Sequence, residues 1–283
     1  MTGLQLSIDE SMLAGYLLAL ARTAGFVLIT PPFNSRSVPS QARVGLAVAL
    51  ALPLSALTQG SAPALASSEL IFQSVGQAFM GLTLGFFVMV AMATIQAVGD
   101  LLDTFGGFTV SMALDPMLLV QTSVMGRLHQ ITAATVLFAT DGHLMVLHGL
   151  SRSLQLSPTP TLAWDALGRA VVSDVAGMFL AAIQICGPLI AAMMVADVAL
   201  GLLTRAAPAL NAFSLGYPLK ILFTLLLAGL VLARIPEALN HLVENAVISV
   251  LDLARHAAST TGGTTGGPAG GPTGSPTGPT RGG

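Results

Sequence analysis

The sequence predicts an all-α integral membrane protein with five to six long apolar helices arranged as kinked helical hairpins. Of its 283 residues, 53% are hydrophobic and 8% are charged, whereas soluble domains carry about 25% charged residues. The mean hydropathy of +0.80 agrees with this class. We expect residues 1–257 to form the membrane domain. Residues 258–283 are rich in Gly, Pro and Thr, cannot bury apolar surface, and predict a disordered tail.

The first half of the chain contains three apolar segments. Ser11–Thr30 is a run of 20 residues, long enough to cross about 30 Å of hydrocarbon. Val44–Leu57 is shorter and contains a proline, which favours one arm of a hairpin over a complete span. Leu70–Val98 is the clearest hydrophobic segment, and Gly81 and Gly85 within it form a GxxxG pattern. Small residues at this spacing let two helices approach closely.

The second half is predicted to contain four further helical regions. Met117–Leu150 is long but less apolar, and its ionisable side chains favour contacts with protein or water over lipid. Val171–Ala196 is apolar and kinked at its Gly-Pro pair, and Ile221–Ala233 is apolar again. Glu237–His256 has apolar residues at helical spacing and reads as an amphipathic helix. If the helices simply cross the membrane up and down, arginines fall in loops on both sides of it. The positive-inside rule therefore leaves the orientation of the chain open.

A loop between two helix breaks is the main functional candidate. Gly106 and Gly107 should end the preceding helix, because glycine raises the cost of helical backbone. Asp115 precedes Pro116, which disfavours helix at Asp115 and begins the next helix. The residues between these breaks are mostly apolar, and such a loop between buried helices predicts a plug or the lining of a passage. The bulky members are Phe108, Val110, Met112 and Leu114.

Catalytic and metal-binding patterns are absent from the sequence. It contains no Walker, GxSxG or HExxH motif and one cysteine, Cys186, which we expect to be a buried apolar residue. We therefore predict neither an enzyme nor a bound cofactor or metal. Nucleic acid is excluded as a partner because there is no basic patch with interleaved aromatic residues.

A second polar cluster surrounds the last predicted turn. Asp197 and Arg205 are eight residues apart, about 12 Å along a helix, so direct pairing is not expected. Lys220 is the single lysine in the chain. Two roles are equally open for this lysine: its side chain snorkels to the membrane interface, or it binds an acidic residue of a partner.

Several motifs in their order resemble the FliR family of flagellar export-gate proteins. The run GDLLDTFGGFTVSMALDP at 99–116 is followed by QTSVMGRL and LFATDGH. The segment RAAPALNAFSLGYPLK at 205–220 resembles the second signature of that family, and the early loop PPFNSRSVPSQAR matches as well. The likeness runs from about residue 10 to 255. It departs at Asp100, where the family commonly has glutamate, and in the C-terminal tail.

The resemblance implies a multi-pass protein of the bacterial inner membrane in the flagellum basal body. It implies assembly with FliP-like and FliQ-like subunits, an FlhB-like partner around the gate, and passage of unfolded flagellar proteins. The loop would then plug the channel, with Phe108 and Met112 as contacts, Gly106 and Gly107 as its joint, and Asp115 and Pro116 as its anchor. Contacts with neighbouring subunits are implied for Asp197, Arg205, Pro208, Asn211 and Lys220.

Three other functions fit parts of the sequence. The equivalent subunit of a virulence-type secretion system has related motifs, although the Gly-His of DGH and the segment ALNAF favour the flagellar type. A secondary transporter could use Asp197 and Arg205 near proline-broken helices, but the two halves show no internal repeat. A membrane-embedded enzyme is disfavoured because no nucleophile lies in a pattern with a base.

Overall fold

The computed structural model describes residues 9–35, 37–108, 123–159, 164–206 and 212–262. Within these ranges the regular structure is helical, which confirms the predicted fold class. Two short 3₁₀ turns, Ser55–Leu57 and Gln59–Ser61, follow the second helix. The seven α-helices are α1 Glu10–Ile29, α2 Ser40–Leu54, α3 Ser68–Gly106, α4 Val124–Ala139, α5 Gly142–Leu156, α6 Trp164–Ala206 and α7 Ala212–Gly262.

Helix α3 is the axis of the fold, because α1, α4, α6 and α7 all pack along it. It has 39 residues and so rises about 58 Å. Ser67 caps its start by accepting a hydrogen bond from the Leu70 amide. The helix ends at Gly106, and Gly107 adopts the left-handed conformation with φ 83°. This confirms the predicted break, since a left-handed residue after a helix is usually glycine.

The GxxxG pattern of α3 forms a close helix–helix contact with α1. A Cβ on Gly81 would collide with the Arg22 carbonyl oxygen, and one on Gly25 would collide with the Ala78 carbonyl. A Cβ on Gly85 would lie 2.8 Å from Thr30 Oγ1. The GxxxG pattern therefore marks a close contact between α1 and α3 in this chain.

This close approach places the Arg22 guanidinium of α1 within hydrogen-bond distance of the end of α5. The Arg22 side chain is fully buried. It donates to Ser153 Oγ at 3.2 Å and to the Ser157 carbonyl at 2.9 Å. From α3, Gln77 donates to the Pro158 carbonyl at 2.7 Å. Carbonyls at a helix C-terminus lack partners within the helix and carry partial negative charge, so the guanidinium is a suitable donor there.

The region predicted as one helix over Met117–Leu150 is divided. In its described part, helix α4 ends at Ala139 and helix α5 begins at Gly142, and the two helices are bent by 72° relative to each other. Asp141 between them has φ 57°. Aspartate tolerates this left-handed conformation better than most residues, and Asp-Gly is a turn signal that the apolar pattern obscures. The prediction of a continuous helix was therefore wrong at this point.

Helix α7 is continuous where the sequence suggested two segments. It runs through Pro236 and continues to Gly262, five residues beyond the expected domain boundary at 257. Ile235 and Leu239, on either side of the proline, are both buried in the main core. Packing on both sides keeps the axis in line, although proline removes one helix hydrogen bond. Residues 263–283 lie outside the described ranges.

The described helices differ greatly in how much of their apolar surface is covered. Five segments are long and apolar enough to cross a membrane, and the bent α4–α5 pair would be a sixth. The most apolar part of α3 is 67% buried, whereas those of α6 and α7 are each 22% buried. The two longest helices therefore form a hairpin whose apolar surface is mostly left for lipid or other proteins.

We expect Gly81→Ala to destabilise the protein by about 1–3 kcal/mol, because the added Cβ collides with the α1 backbone and the helices must separate. Thermal unfolding in detergent measures the effect. Gly229→Ala is the matched control, since nothing lies within 4 Å of a Cβ there. Equal melting temperatures for the two variants would contradict the close contact.

Candidate functional site

The structure describes both ends of the candidate loop and leaves its middle outside the described residues. Gly106, Gly107 and Phe108 lie at the end of α3, and the chain is described again from Ser123 at the start of α4. The loop candidates Val110, Met112 and Leu114 and the anchor Asp115-Pro116 lie in the undescribed part, 109–122. Their proposed roles therefore stay predictions.

The two ends of the loop are joined by a buried carboxylate. Asp103, one turn before Gly106, is 4% exposed. Its two oxygens accept hydrogen bonds from the Met125 backbone amide, at 3.3 and 3.2 Å. Ser123 Oγ accepts from the Gly126 amide at 2.8 Å and caps α4. An acid at a helix N-terminus is doubly favourable, because the amides there lack partners and carry partial positive charge.

Close backbone packing reinforces this closure. A Cβ on Gly99 would lie 2.5 Å from the Met125 carbonyl oxygen, and one on Gly126 would collide with the Asp100 carboxylate. Glycine is required at position 99, because a side chain there would collide with the α4 backbone, whereas at Gly126 the Asp100 carboxylate could rotate away. The chain thus leaves α3 and begins α4 at nearly the same point.

The base of the loop rests on α7 through Thr224. This buried residue donates to the Lys220 carbonyl at 2.9 Å, and its hydroxyl also lies 3.5 Å from the Gly106 carbonyl oxygen. A Cβ on Gly106 would lie 2.6 Å from Thr224 Cγ2. Met193 of α6 approaches the same hydroxyl with its sulfur at 3.8 Å. Gly106 is therefore needed for packing against α7 as well as for ending α3.

Phe108 packs against a compact apolar cluster below the loop. Cys186 in this cluster is buried, as the sequence predicted, and its thiol donates to the Val98 carbonyl at 3.3 Å. The buried members come from α3, α4, α6 and α7: Val98, Leu102, Met125, Ala182, Cys186, Leu189, Ala228 and Val231. One described end of the loop is thus seated on a core shared by four helices.

The second polar cluster contains an ion pair within the chain. Lys220 Nζ lies 2.8 Å from both carboxylate oxygens of Asp197. Of the two roles left open for Lys220, it binds an acid, but that acid belongs to its own chain. Arg205, near the end of α6, forms no ion pair with a described residue, as its spacing from Asp197 predicted. Pro208 and Asn211 lie in 207–211, outside the described residues.

The two sequence signatures therefore meet in space. Lys220 and Thr224 are one helical turn apart on α7; the first binds Asp197 and the second contacts Gly106. Sequence reasoning missed Asp103 and Thr224. The position of Asp103 one turn before a Gly-Gly break was a usable signal for a cap on the returning helix. Nothing local to Thr224 marks its role, because the contacts that tie it to α6 and to the loop lie 31 and 118 residues away.

These features define a multi-pass membrane protein built around a loop whose ends are closed by buried contacts. The model of the family described as Bacterial export proteins, family 1, matches residues 13–246. The chain therefore belongs to this family of bacterial export proteins, which confirms the resemblance to FliR and makes it a subunit of a type III export apparatus.

Individual relatives agree with this family. The chain is 28% identical to the flagellar biosynthetic protein FliR of Bacillus subtilis, over 73% of this chain and 81% of the relative. It is 26% identical to FliR of Pectobacterium carotovorum, over 86% of this chain and 92% of the relative. It is 32% identical to the secretion system apparatus protein SsaT of Salmonella typhimurium, over 60% of this chain and 66% of the relative.

Asp103→Ala should destabilise the purified protein by about 1–3 kcal/mol, because it leaves the Met125 amide buried without an acceptor. Asp103→Asn retains an acceptor and should cost less. Thr104→Ala is the control, since Thr104 is exposed and bonds to its own helix. Thermal unfolding ranks the stabilities of the three variants. Equal losses of stability for Asp103→Ala and Thr104→Ala would refute the closure of the loop base by Asp103.

A double-mutant cycle tests the Lys220–Asp197 pair. We expect Lys220→Met and Asp197→Asn to be non-additive, with a coupling of about 1 kcal/mol, because the pair is only partly shielded from solvent. Arg234→Met and Glu237→Gln form the comparison cycle; this pair is 3.7 Å apart and more exposed, so its coupling should be smaller. Additive effects at Lys220 and Asp197 would show that the pair contributes nothing to stability.

Proposed function

We propose that this protein is a subunit of a flagellar type III export gate, in which it assembles with FliP-like and FliQ-like subunits. In this role it lies in the bacterial inner membrane at the flagellum basal body and helps form the channel for unfolded flagellar proteins. The segment from Gly106 to Leu114 is the channel plug. An FlhB-like protein is the partner that delivers exported chains, and no catalysis by this subunit is required.

One observation carries the plug proposal: the two described ends of the loop lie together at a single buried point. The Asp103–Met125 bonds close its base, and Thr224 supports Gly106 from the side. A loop anchored in this way can be displaced without separating α3 from α4. That is the mechanical requirement for a plug that moves aside while the subunit stays assembled.

The apolar composition of the loop suits the same role. Met112 has a flexible thioether that can pack against partners of varying shape. Phe108, at the described end, packs against the cluster that α3, α4, α6 and α7 share. A plug of this kind has one rigidly seated end and adaptable apolar side chains beyond it.

The α6–α7 hairpin supports assembly with other subunits. Its helices of 43 and 51 residues rise about 64 and 76 Å, roughly twice the thickness of the hydrocarbon core. Lipid can therefore cover only part of their exposed apolar surface. Neighbouring subunits with equally apolar helices would cover the remainder, as the family resemblance implies for FliP and FliQ.

Sequence motifs favour the flagellar system over a virulence system. The breadth of the alignments does not separate the two, because SpaR of Salmonella typhimurium, a surface presentation of antigens protein, aligns over 74% of this chain and FliR of Bacillus subtilis over 73%. Our preference therefore rests on the Gly-His of DGH and the segment ALNAF, which look more flagellar. Complementation of a fliR deletion, compared with complementation of a deletion in a virulence export system, tests this choice directly.

Assembly is tested by co-expression with FliP-like and FliQ-like proteins and purification through a tag on this chain. A stable complex of the three supports the gate. A monomer that leaves its co-expressed partners behind would refute assembly.

Deletion of Val110–Ala113 should leave the assembled gate permeable to small solutes, because it shortens the loop without touching its anchored base. Solute entry into cells or vesicles containing the complex is the measurement. Deletion of residues 273–276 from the C-terminal segment is a control of equal length. Unchanged permeability in a fully assembled complex would overturn the plug.

A further inference from the structure

A small cavity between α3, α6 and α7 contains polar groups that the proposed gate does not use. Its volume is ≈150 Å³. Pockets for organic ligands measure about 300–1,000 Å³, so this one is too small for them. It is large enough for an ion with a few water molecules, since each water occupies about 30 Å³ in the liquid.

The polar groups around this cavity are oxygen donors. Asp174 contributes a carboxylate, Thr94 and Ser173 contribute hydroxyls, and Asn245 contributes an amide. Thr94 donates its proton to the Val90 carbonyl at 2.9 Å, which leaves its lone pairs as acceptors. Oxygen ligands of this kind suit hard cations, whereas thiolate and imidazole ligands select transition metals.

Asp174 is held by a hydroxyl from the opposite helix. Ser249 Oγ of α7 donates to Asp174 Oδ1 at 3.2 Å. No basic side chain in the described part of the chain pairs with this carboxylate; the ion pairs found there are Lys220–Asp197, Arg234–Glu237 and Arg255–Asp252. A carboxylate within an apolar span is costly and typically marks an ion or proton pathway. Its charge therefore needs a counter-ion that the described protein does not supply.

The charge of the site selects the class of cation. The described residues contain no group of three His, Cys, Asp or Glu able to hold a metal ion, and the cavity has a single carboxylate. A divalent ion would leave a net positive charge in an apolar region, whereas a monovalent ion leaves none.

We propose that Asp174, Thr94, Ser173 and Asn245 form a site for a hydrated monovalent cation, for which Na⁺ is the probe. The cation bridges the three helices that line the cavity, so its binding stabilises their packing. The site uses neither a plug residue nor a residue of another subunit, and its test needs only the purified chain. Either proposal can fail without the other.

Thermal unfolding of the full-length purified protein tests the site. Melting curves are compared in NaCl and in choline chloride at equal ionic strength, because the methyl groups of choline keep its charge away from the oxygen ligands that would coordinate Na⁺. We expect Na⁺ to raise the Tm by about 2–4 °C, in a saturable manner. Direct binding of ²²Na⁺, measured by scintillation proximity, should saturate over the same concentration range.

Matched variants separate this site from general salt effects. Asp174→Asn should abolish both the Na⁺-dependent shift and ²²Na⁺ binding, while Asp165→Asn, near the start of the same helix, should retain them. Ser249→Ala removes the hydroxyl that orients Asp174 and should raise the half-saturating Na⁺ concentration at least threefold. It also provides the test if Asp174→Asn does not fold. Equal stabilisation by choline, or an undiminished Na⁺ response in Asp174→Asn or Ser249→Ala, would overturn the proposal.

Discussion

The hydrogen bonds from the Met125 amide to Asp103 determine how the two halves of the structure meet. A helix that ends inside an apolar protein needs a partner for each backbone group at its terminus, and water is not available to supply one. Asp103, near the end of α3, provides the acceptor for the Met125 amide in the first turn of α4. The returning helix consequently starts beside α3, and the two described ends of the loop, at Phe108 and Ser123, lie next to a closed base.

The same requirement explains the polar contacts at the other end of α3. The glycines Gly25 and Gly81 bring α1 and α3 into backbone contact, so Arg22 reaches the last carbonyls of α5. From α3, Gln77 donates a hydrogen bond to the carbonyl of Pro158, just beyond α5. Small residues set the distance between helices and buried donors then select the partner. Polar side chains within apolar spans thus have positional roles that the overall composition conceals.

Local sequence signals were sufficient to predict those structural features that depend only on residues close together in the chain. The Gly106-Gly107 break follows from glycine alone and was predicted, and the close packing at Gly81 falls on a GxxxG pattern that permits it. The bend at Asp141 was missed because a long apolar pattern outweighed one turn dipeptide, and α7 continues through Pro236 because distant core residues pack on both sides of it. The pairing of Lys220 with Asp197 depends on how α6 and α7 align, a long-range register that no local pattern encodes.

The position of that pairing links the loop to the exposed hairpin. Thr224 contacts both Gly106 and Met193, and α6 continues from Met193 to Ala206 for thirteen more residues, about 20 Å. The hairpin therefore projects beyond the point where α3 ends, with its two helices joined there by Lys220 and Asp197. A subunit that packs on the hairpin, as proposed above, would lie against the helix that holds Thr224. Thr224 is therefore the residue at which the base of the loop meets both helices of the hairpin.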